Sequence, residues 1–325
     1  MAQIKDWDDH IGRRVRLRDL RVFFAVVECG SLARAAARLR VTQPAVSQVI
    51  AGLEHSAGVK LFDRNRRGVE PTLYGRALLS RGQAAFDELR QGFKDIEALA
   101  DPGAGEVRIG STTATTETLL PRLIERFIRL YPRAVIRVDD APRPALDLSG
   151  LRDRKFDLIL GRLAMPVADR QLADFNVDIL FYDQLVIAAG VHNPWSRRRK
   201  IDLAELVDEP WILAEINSWN YRTLADAFTA LGRQPPKAGL MAFSVTLGSY
   251  LLANGPHIRA LPRSALQLSP YRESLKQLPV ELPNRPWPFA VLTLKNRTLN
   301  PAAERFVECA HEVSKTLGRQ TVRRS

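Results

Sequence analysis

The chain has 325 residues, with 48 Lys and Arg against 36 Asp and Glu, a formal charge of +12. That length allows two or three domains of ~100–200 residues, each with its own core. Hydrophobic residues at 46% and charged ones at 26% mark an ordinary globular composition and exclude a disordered chain.

Cys29 and Cys309 are the two cysteines. They are too few for a disulfide framework or a Cys-rich metal site, and buried inert thiols are the simpler reading. No apolar run reaches the roughly 18 residues of a membrane span. The amino terminus, Met1 to His10, is acidic and polar where a secretory leader is basic and then apolar, so the expected location is cytoplasmic. A basic excess favours polyanionic partners only where the charge is focused. Residues 1–105 carry 17 Lys and Arg against 13 Asp and Glu, a net +4 of the +12, so charge alone does not locate a nucleic-acid site.

Pattern does more. Leu20/Phe23/Phe24/Val27, Leu32/Ala35/Ala36/Leu39 and Val46/Val49/Ile50/Leu53 each repeat at helical spacing. Ser31 and Thr42 stand at the N-cap positions of the second and third helices, and Arg40-Val41 between them leaves room only for a tight helix-turn-helix. Leu61-Phe62 and Val69 to Pro71 then flank Asp63 to Gly68, a short hairpin with a basic tip. Leu79, Gly82, Phe86, Leu89, Phe93, Ile96 and Ala100 recur at alternating spacings of three and four, the period of a seam between two long helices. Asp101 to Gly105 reads as a linker.

From Glu106 strands and helices alternate: strands at 106–110, 134–138 and 157–161, helices at 119–130 and 145–154. A second set has strands at 184–189, 211–214, 239–243, 258–261 and 278–282 and helices at 224–231 and 245–254. A strand at 288–294 and a helix around Phe306, Ala310, Val313 and Leu317 close the chain. Such alternation predicts mostly parallel sheets with ligand sites at the strand C-terminal ends.

The third helix carries Pro44, Ser47, Gln48, Ala51 and His55 opposite its apolar side, a small and polar surface suited to a major groove ~12 Å wide. Gln43 and Gln48 offer the paired donor and acceptor that matches adenine. Arg34 and Arg38, with Arg64, Arg66 and Arg67 on the hairpin, supply charge for phosphates. A small three-helix core with a solvated face produces the same periodicity, and periodicity alone leaves both readings open.

The residues themselves carry a resemblance. Ser31-Leu32-Ala33-Arg34-Ala35-Ala36-Ala37-Arg38-Leu39, Val41-Thr42-Gln43-Pro44-Ala45-Val46-Ser47-Gln48, Leu53-Glu54 and Gly58-Val59-Lys60-Leu61-Phe62-Asp63-Arg64 resemble the signature of LysR-type transcriptional regulators. The resemblance covers nearly the whole chain. It implies a winged helix-turn-helix domain at 1–71, rich in α-helix, and a dimerising linker helix and hinge at 72–105. It further implies an α/β effector-binding domain at 106–325, of two subdomains, like periplasmic binding proteins. Subdomain I would span about 106–181 and 286–318, and subdomain II about 182–285, with the hinge near Phe181 to Gln184 and Asn284 to Pro288.

By that resemblance Thr42, Gln43, Pro44, Ser47 and Gln48 read bases of double-stranded promoter or operator DNA, and Arg64, Asn65, Arg66 and Arg67 form the wing. Leu79, Phe86, Leu89, Phe93 and Ile96 make the dimer seam of a homodimer or homotetramer. A small organic effector, a carboxylate, is expected between the subdomains, on Ser111, Thr112, Thr113, Arg143, Asn217, Ser218, Ser244, Val245 and Thr246. Plain helix capping explains the hydroxyl residues equally well. Trp219 either stacks on a ligand or covers a neighbouring core, and Arg143 either pairs with an anion or is a solvated loop charge. Arg197 to Lys200 is a solvated cluster, or a contact for flanking DNA or an RNA polymerase subunit.

Departures from the family pattern are Ala33, Leu73-Tyr74-Gly75 at the linker-helix start, Arg143-Pro144, and His257 in place of a turn glycine, where a positive φ would strain it. No catalytic residue, metal site or cofactor is expected. Five His, two Cys and the lack of a Gly-rich phosphate-binding motif argue against an enzyme, and no membrane partner is expected.

Overall fold

Helix punctuation sets the architecture of a computed structural model, which describes residues 15–65, 68–101, 103–141, 148–163, 172–216, 218–237, 239–242, 244–283 and 286–322. The chain divides inside a long helix into a unit of residues 1–90 and a unit of residues 91–325.

In the first unit, helix α1 (Leu17–Cys29) ends where Gly30 takes φ 59°. Ser31 caps α2 (Leu32–Leu39) by accepting the Arg34 N–H at 3.5 Å. Arg40 turns left-handed at φ 56°, and Thr42 caps α3 (Gln43–Ala57) by accepting the Ala45 N–H at 3.4 Å. The side chains that face inward from the three helices, Phe23, Val26, Ala35, Val46 and Ile50, are almost fully buried together with Leu61. Burial of about six such groups is the main stabilisation of so small a unit.

Strands β1 (Phe62–Asn65) and β2 (Gly68–Pro71) pair antiparallel, Phe62 opposite Pro71 and Asn65 opposite Gly68. The ladder therefore runs through Arg64 and Asn65, which the sequence reading had placed in the tip. Backbone pairing in a solvated two-stranded ribbon tolerates charged residues. Glu54, 8% exposed, ties this hairpin to α3: its carboxylate accepts the N–H groups of Leu61 at 3.0 Å and Phe62 at 3.4 Å and the Lys60 Nζ at 2.7 Å. Burial alone would raise its pKa, but the Lys60 and backbone donors outweigh it and hold the group below the usual range.

Helix α4 (Leu73–Ala100) starts tightly against the hairpin. Thr72 Oγ1 donates to the Lys60 carbonyl at 2.8 Å and accepts the Gly75 N–H at 3.0 Å. A Cβ at Gly75 would stand 2.1 Å from the Leu61 carbonyl oxygen, which explains the glycine in this unusual opening. Along the apolar stripe of α4, Gly82 lies under Phe24, Phe86 meets Phe24 edge-on at 5.4 Å, and Leu79 packs on the three-helix core. Leu89, Phe93, Ile96 and Leu99 remain 47%, 69%, 62% and 83% exposed. The expected seam is thus divided, because heptad spacing says that a face is apolar and not what covers it.

The second unit is built on a sheet of order β4-β3-β5-β12-β6. Strands β3 (Glu106–Thr112), β4 (Val135–Ala141) and β5 (Leu158–Arg162) run parallel. Strand β12 (Trp287–Leu294) is antiparallel to β5 and to β6 (Phe175–Asp183). After β3 comes the short helix α5 (Thr113–Glu117), then α6 (Leu119–Leu130), which packs with α11 (Pro301–Val322) over a core of Ile109, Leu123, Phe127, Leu160 and Phe306. Cys309 is buried there, whereas Cys29 is only partly so. Of the helix expected at 145–154, the described part is α7 (Ser149–Arg152); residues 142–147 lie outside the described residues.

From β6 the chain passes through Gln184 into a second sheet, strands β10-β7-β11, with both pairs antiparallel. Here β7 is Leu185–Gly190, β10 is Ile258–Pro262 and β11 is Leu275–Gln277. Among the described residues parallel pairing in this half is confined to β8 (Ile212–Leu213) with β9 (Leu240–Met241) and a bridge from Trp211 to Ile258. Helices α8 (Trp219–Ala230), α9 (Val245–Asn254) and α10 (Arg263–Leu268) complete it.

The expectation of mostly parallel sheets therefore holds only for β3, β4 and β5: the other two pairings of the first sheet and both of the second are antiparallel. A strand at 278–282 is absent, because β11 ends at Gln277, after which Leu278 donates one N–H to the Ile187 carbonyl. No described helix is long and apolar enough to cross a membrane.

Asp157, fully buried, locks the first sheet. It accepts the Arg108 N–H at 2.8 Å, Arg108 Nη2 at 2.7 Å and Arg297 Nη2 at 2.9 Å. Burial pushes its pKa up, but these cations and the backbone donor push it further down, so the net shift is downward. Asp157→Asn leaves two buried guanidinium groups without their anion and is expected to cost about 3–5 kcal/mol in denaturant unfolding. The wild-type contribution is complete above the ordinary carboxylate range and is lost as pH falls through the depressed folded-state value, so the variant's unfolding midpoint should be flatter with pH on the acid side. Gly75→Ala is expected to destabilise the first unit by about 1–3 kcal/mol through the clash with Leu61, read by circular dichroism melting.

Candidate nucleic-acid interface and ligand cleft

Because Val46, Ile50 and Leu53 turn into the core, the opposite side of α3 faces solvent. Thr42, Gln43, Pro44, Gln48, Ala51 and His55 are exposed and Ser47 is half-buried. Thr42 Oγ1 accepts the cap bond, and Gln43, Gln48 and His55 are the larger polar side chains on the exposed side. Arg34 is exposed one turn into α2. Arg38, also expected to meet phosphate, is instead ion-paired with Glu28 on α1. The backbones of Arg64 and Asn65 lie in β1, and Arg66 and Arg67 fall outside the described residues.

In the second unit, Ser111 sits near the C-terminal end of β3, opposite Leu160 of β5 and 4% exposed. Among the described residues its hydroxyl reaches only the Thr112 carbonyl, at 3.4 Å. The hydroxyls of Thr112, Thr115, Thr116 and Thr118 are turned back into their own segment. Thr112 Oγ1 pairs with Thr115 Oγ1 at 3.1 Å, Thr116 Oγ1 donates to the Thr112 carbonyl at 3.2 Å, and Thr118 Oγ1 donates to the Ala114 carbonyl at 2.6 Å. Thr113, at the first position of the five-residue α5, is half-buried.

The second hydroxyl segment meets the first through a residue that sequence reasoning missed. Ser244 caps α9 by accepting the Leu247 N–H at 3.1 Å, and its own O–H donates to Glu117 Oε1 at 3.0 Å. Glu117 Oε2 accepts the Thr246 N–H at 2.8 Å. A carboxylate from the first subdomain thus sits on the positive end of a helix in the second. Behind it Arg259, buried, donates to the carbonyls of Ser244 and Ala242, both at 2.9 Å, and burial lowers its pKa to about 10. A Cβ on Gly248 would stand 1.6 Å from Arg259 Nη1, so α9 needs a glycine to lie over that guanidinium. Val245 is buried in the second subdomain's core, which Ala114 also touches.

Other expectations place differently. Ser218 is 5% exposed and caps α8 by accepting the Tyr221 N–H at 3.2 Å. Asn217 and Arg143 lie outside the described residues. His257 carries no strain: among the described residues the non-glycine positions with positive φ are Arg40, Arg154 and Asn296. The turn there has changed, with Gly255 extended at φ −141°.

A second bridge between the subdomains also went unread. Arg162 closes β5, and its Nη1 donates to Asn220 Oδ1 on α8 at 2.7 Å. Its guanidinium carbon lies 4.9 Å from the ring centre of Trp287 and 5.7 Å from that of Trp219. Asp183, opposite Trp287 in the sheet, is held by Ser264 Oγ at 2.5 Å, Ser264 N at 3.2 Å and Gln184 N at 2.8 Å. Burial outweighs those bonds and the pull of Arg162, and raises its pKa. A charged residue directly after the apolar run Leu158 to Gly161 was the available signal for Arg162.

Comparison with known proteins matches residues 17–76 to the bacterial regulatory helix-turn-helix family of LysR type and residues 100–315 to the LysR substrate-binding domain. The chain is 28% identical over 310 residues to the transcriptional regulator GbpR of Azospirillum brasilense, covering 95% of this chain and 90% of that protein. It is 27% identical over 300 residues to TdcA of Escherichia coli, covering 92% and 93%. Among solved structures, a full-length OxyR variant from Pseudomonas aeruginosa aligns with TM-score 0.60 at 21% identity, covering 94% of this chain and 97% of that one. Full-length CbnR in complex with its target DNA aligns at 0.58 and 20%, covering 92% and 100%. The two structural likenesses establish the fold. With an exposed recognition helix in one unit, a two-subdomain ligand fold in the other, and family models spanning both, the chain belongs to the LysR family of DNA-binding transcriptional regulators.

Proposed function

We propose that this regulator reads its operator through Gln43, Pro44, Ser47 and Gln48 on α3, with Thr42 at the helix start and Arg34 and the Arg64 to Arg67 wing on the phosphates. The observation that carries the reading is the solvent-facing side of α3, free of its own unit's side chains while the other side forms the core. Small side chains there allow the helix to seat against base edges.

The exposed run Leu89, Phe93, Ile96 and Leu99 on α4 joins two copies, and a homodimer or homotetramer presents paired recognition helices to two half-sites. A small anionic organic effector, a carboxylate, binds between the two subdomains of the 91–325 unit. It changes DNA binding to the extent that it prefers one arrangement of those subdomains over another.

Gln48→Ala is expected to relax preference at one base pair by about 1–3 kcal/mol in competition gel shifts. Arg34→Ala should weaken operator and random duplex alike and lower the salt slope by about 1. Equal losses on both duplexes for both variants would overturn that division. Phe93→Asp places a charge in the α4 stripe and is expected to shift sedimentation toward the monomer while leaving each unit folded.

A further inference from the structure

The two bridges between the subdomains differ in what they leave available. At the first, Glu117 already fills the α9 end, taking the Ser244 hydroxyl and the Thr246 amide, and the hydroxyls of Thr115 and Thr116 are spent within their own segment. A second carboxylate arriving there would meet Glu117 as a like charge.

The second bridge is the reverse. A guanidinium has five N–H donors. Among the described residues Arg162 spends one on Asn220, and its other contacts are the faces of Trp287 and Trp219, which balance charge without accepting ordinary hydrogen bonds. Asp183 is committed to Ser264 and Gln184 and makes no hydrogen bond to Arg162 among the described residues. The Trp287 indole is 3% exposed, and its Nε1–H has no acceptor among the described residues. A buried donor without a partner pays its desolvation uncompensated, so natural chains keep few of them without a use. Arg162, Trp219 and Asn220 are only half-buried, which leaves the cluster within reach of a ligand.

We propose that the effector's acidic group docks on Arg162, over the indoles of Trp287 and Trp219, and not on the hydroxyl wall of Ser111 to Thr113 and Ser244 to Thr246. This rests on the reading of the effector as an anion and specifies where the anion is held. The ligand class is a carboxylate attached to a flat or apolar body that lies on indole. Because Arg162 also holds Asn220 on α8, an anion that engages its remaining donors acts on the contact joining the two subdomains, and so reaches their relative placement.

The test is a thermal-shift and tryptophan-emission titration of the full chain with acetate, succinate and benzoate, each against its neutral amide at matched ionic strength. The expected result is stabilisation by at least one carboxylate and not by its amide. The carboxylate midpoint should rise about 10- to 100-fold in Arg162→Gln, the worth of a charge-assisted hydrogen-bonded contact, and less in Arg162→Lys. Trp287→Phe keeps the ring and removes the N–H, and a midpoint raised about 3-fold or more in thermal shift is expected. It carries the test if Arg162→Gln does not fold.

A carboxylate midpoint unchanged in Arg162→Gln, or in Trp287→Phe where that variant carries the test, overturns the assignment while the anionic-effector reading stands. Equal responses to carboxylates and amides, or none to either, overturn both.

Discussion

A carboxylate taken out of water keeps its charge only where donors converge on it, and the joints of this protein are built on that requirement. Glu54 fastens the hairpin to α3, Asp157 fastens β5 to β3, Asp183 closes the passage from one sheet to the other, and Glu117 clamps the two subdomains. Their partners decide their chemistry. Glu54 and Asp157 each have a cation in direct contact, and their pKa values fall in spite of burial. Asp183 has neutral donors within reach and its cation at a distance, and burial wins. Asp157, Asp183 and Glu117 tie segments far apart in the chain, and Glu54 ties neighbouring elements, so the elements cannot drift without leaving a carboxylate without its donors.

Several of the protein's arginines are structural. Arg38 answers Glu28, Arg108 and Arg297 answer Asp157, and Arg126, Arg133 and Arg137 answer Glu312, Asp101 and Glu106. Ion pairs cancel in equal numbers, so the excess of +12 lies outside them and does not by itself mark the nucleic-acid face. Exposed pairs of this kind contribute little to stability, but they withdraw arginines from the pool available to a polyanion. What remains at the recognition helix is a nearly neutral, small-residue surface beside the exposed Arg34, a distribution suited to reading base edges while backbone charge is met from the side.

Much of the fold was legible because local signals agreed with one another. Ser31 and Thr42 cap the helices they precede, the helix at 119–130 has those bounds, and so does the helix at 245–254. The strand β6 shows what a missed signal looks like: Phe175, Val177, Ile179 and Phe181 alternate strictly, yet Val177 and Ile179 are more than a third exposed, so the alternation does not match a simple buried face. The helix α10 escaped notice because six residues carry too little periodicity to register.

Of the ligand cleft, the sequence marked the segments and not their occupants. Hydroxyl runs at helix starts are visible in any chain, and whether they face a ligand or bond among themselves depends on how neighbouring segments fold back. By itself, the order of residues determined the three helices with the caps of the second and third, the hairpin, the alternation of strands and helices and the family, since each rests on contacts between near neighbours or on a contiguous motif. Only the tertiary structure decided that Glu117 reaches α9 across 127 positions of chain, that Arg162 lies against two indoles, and that half of the α4 stripe is already covered. Those outcomes are set by long-range packing and by where a buried charge can find its donors, and no local pattern encodes either.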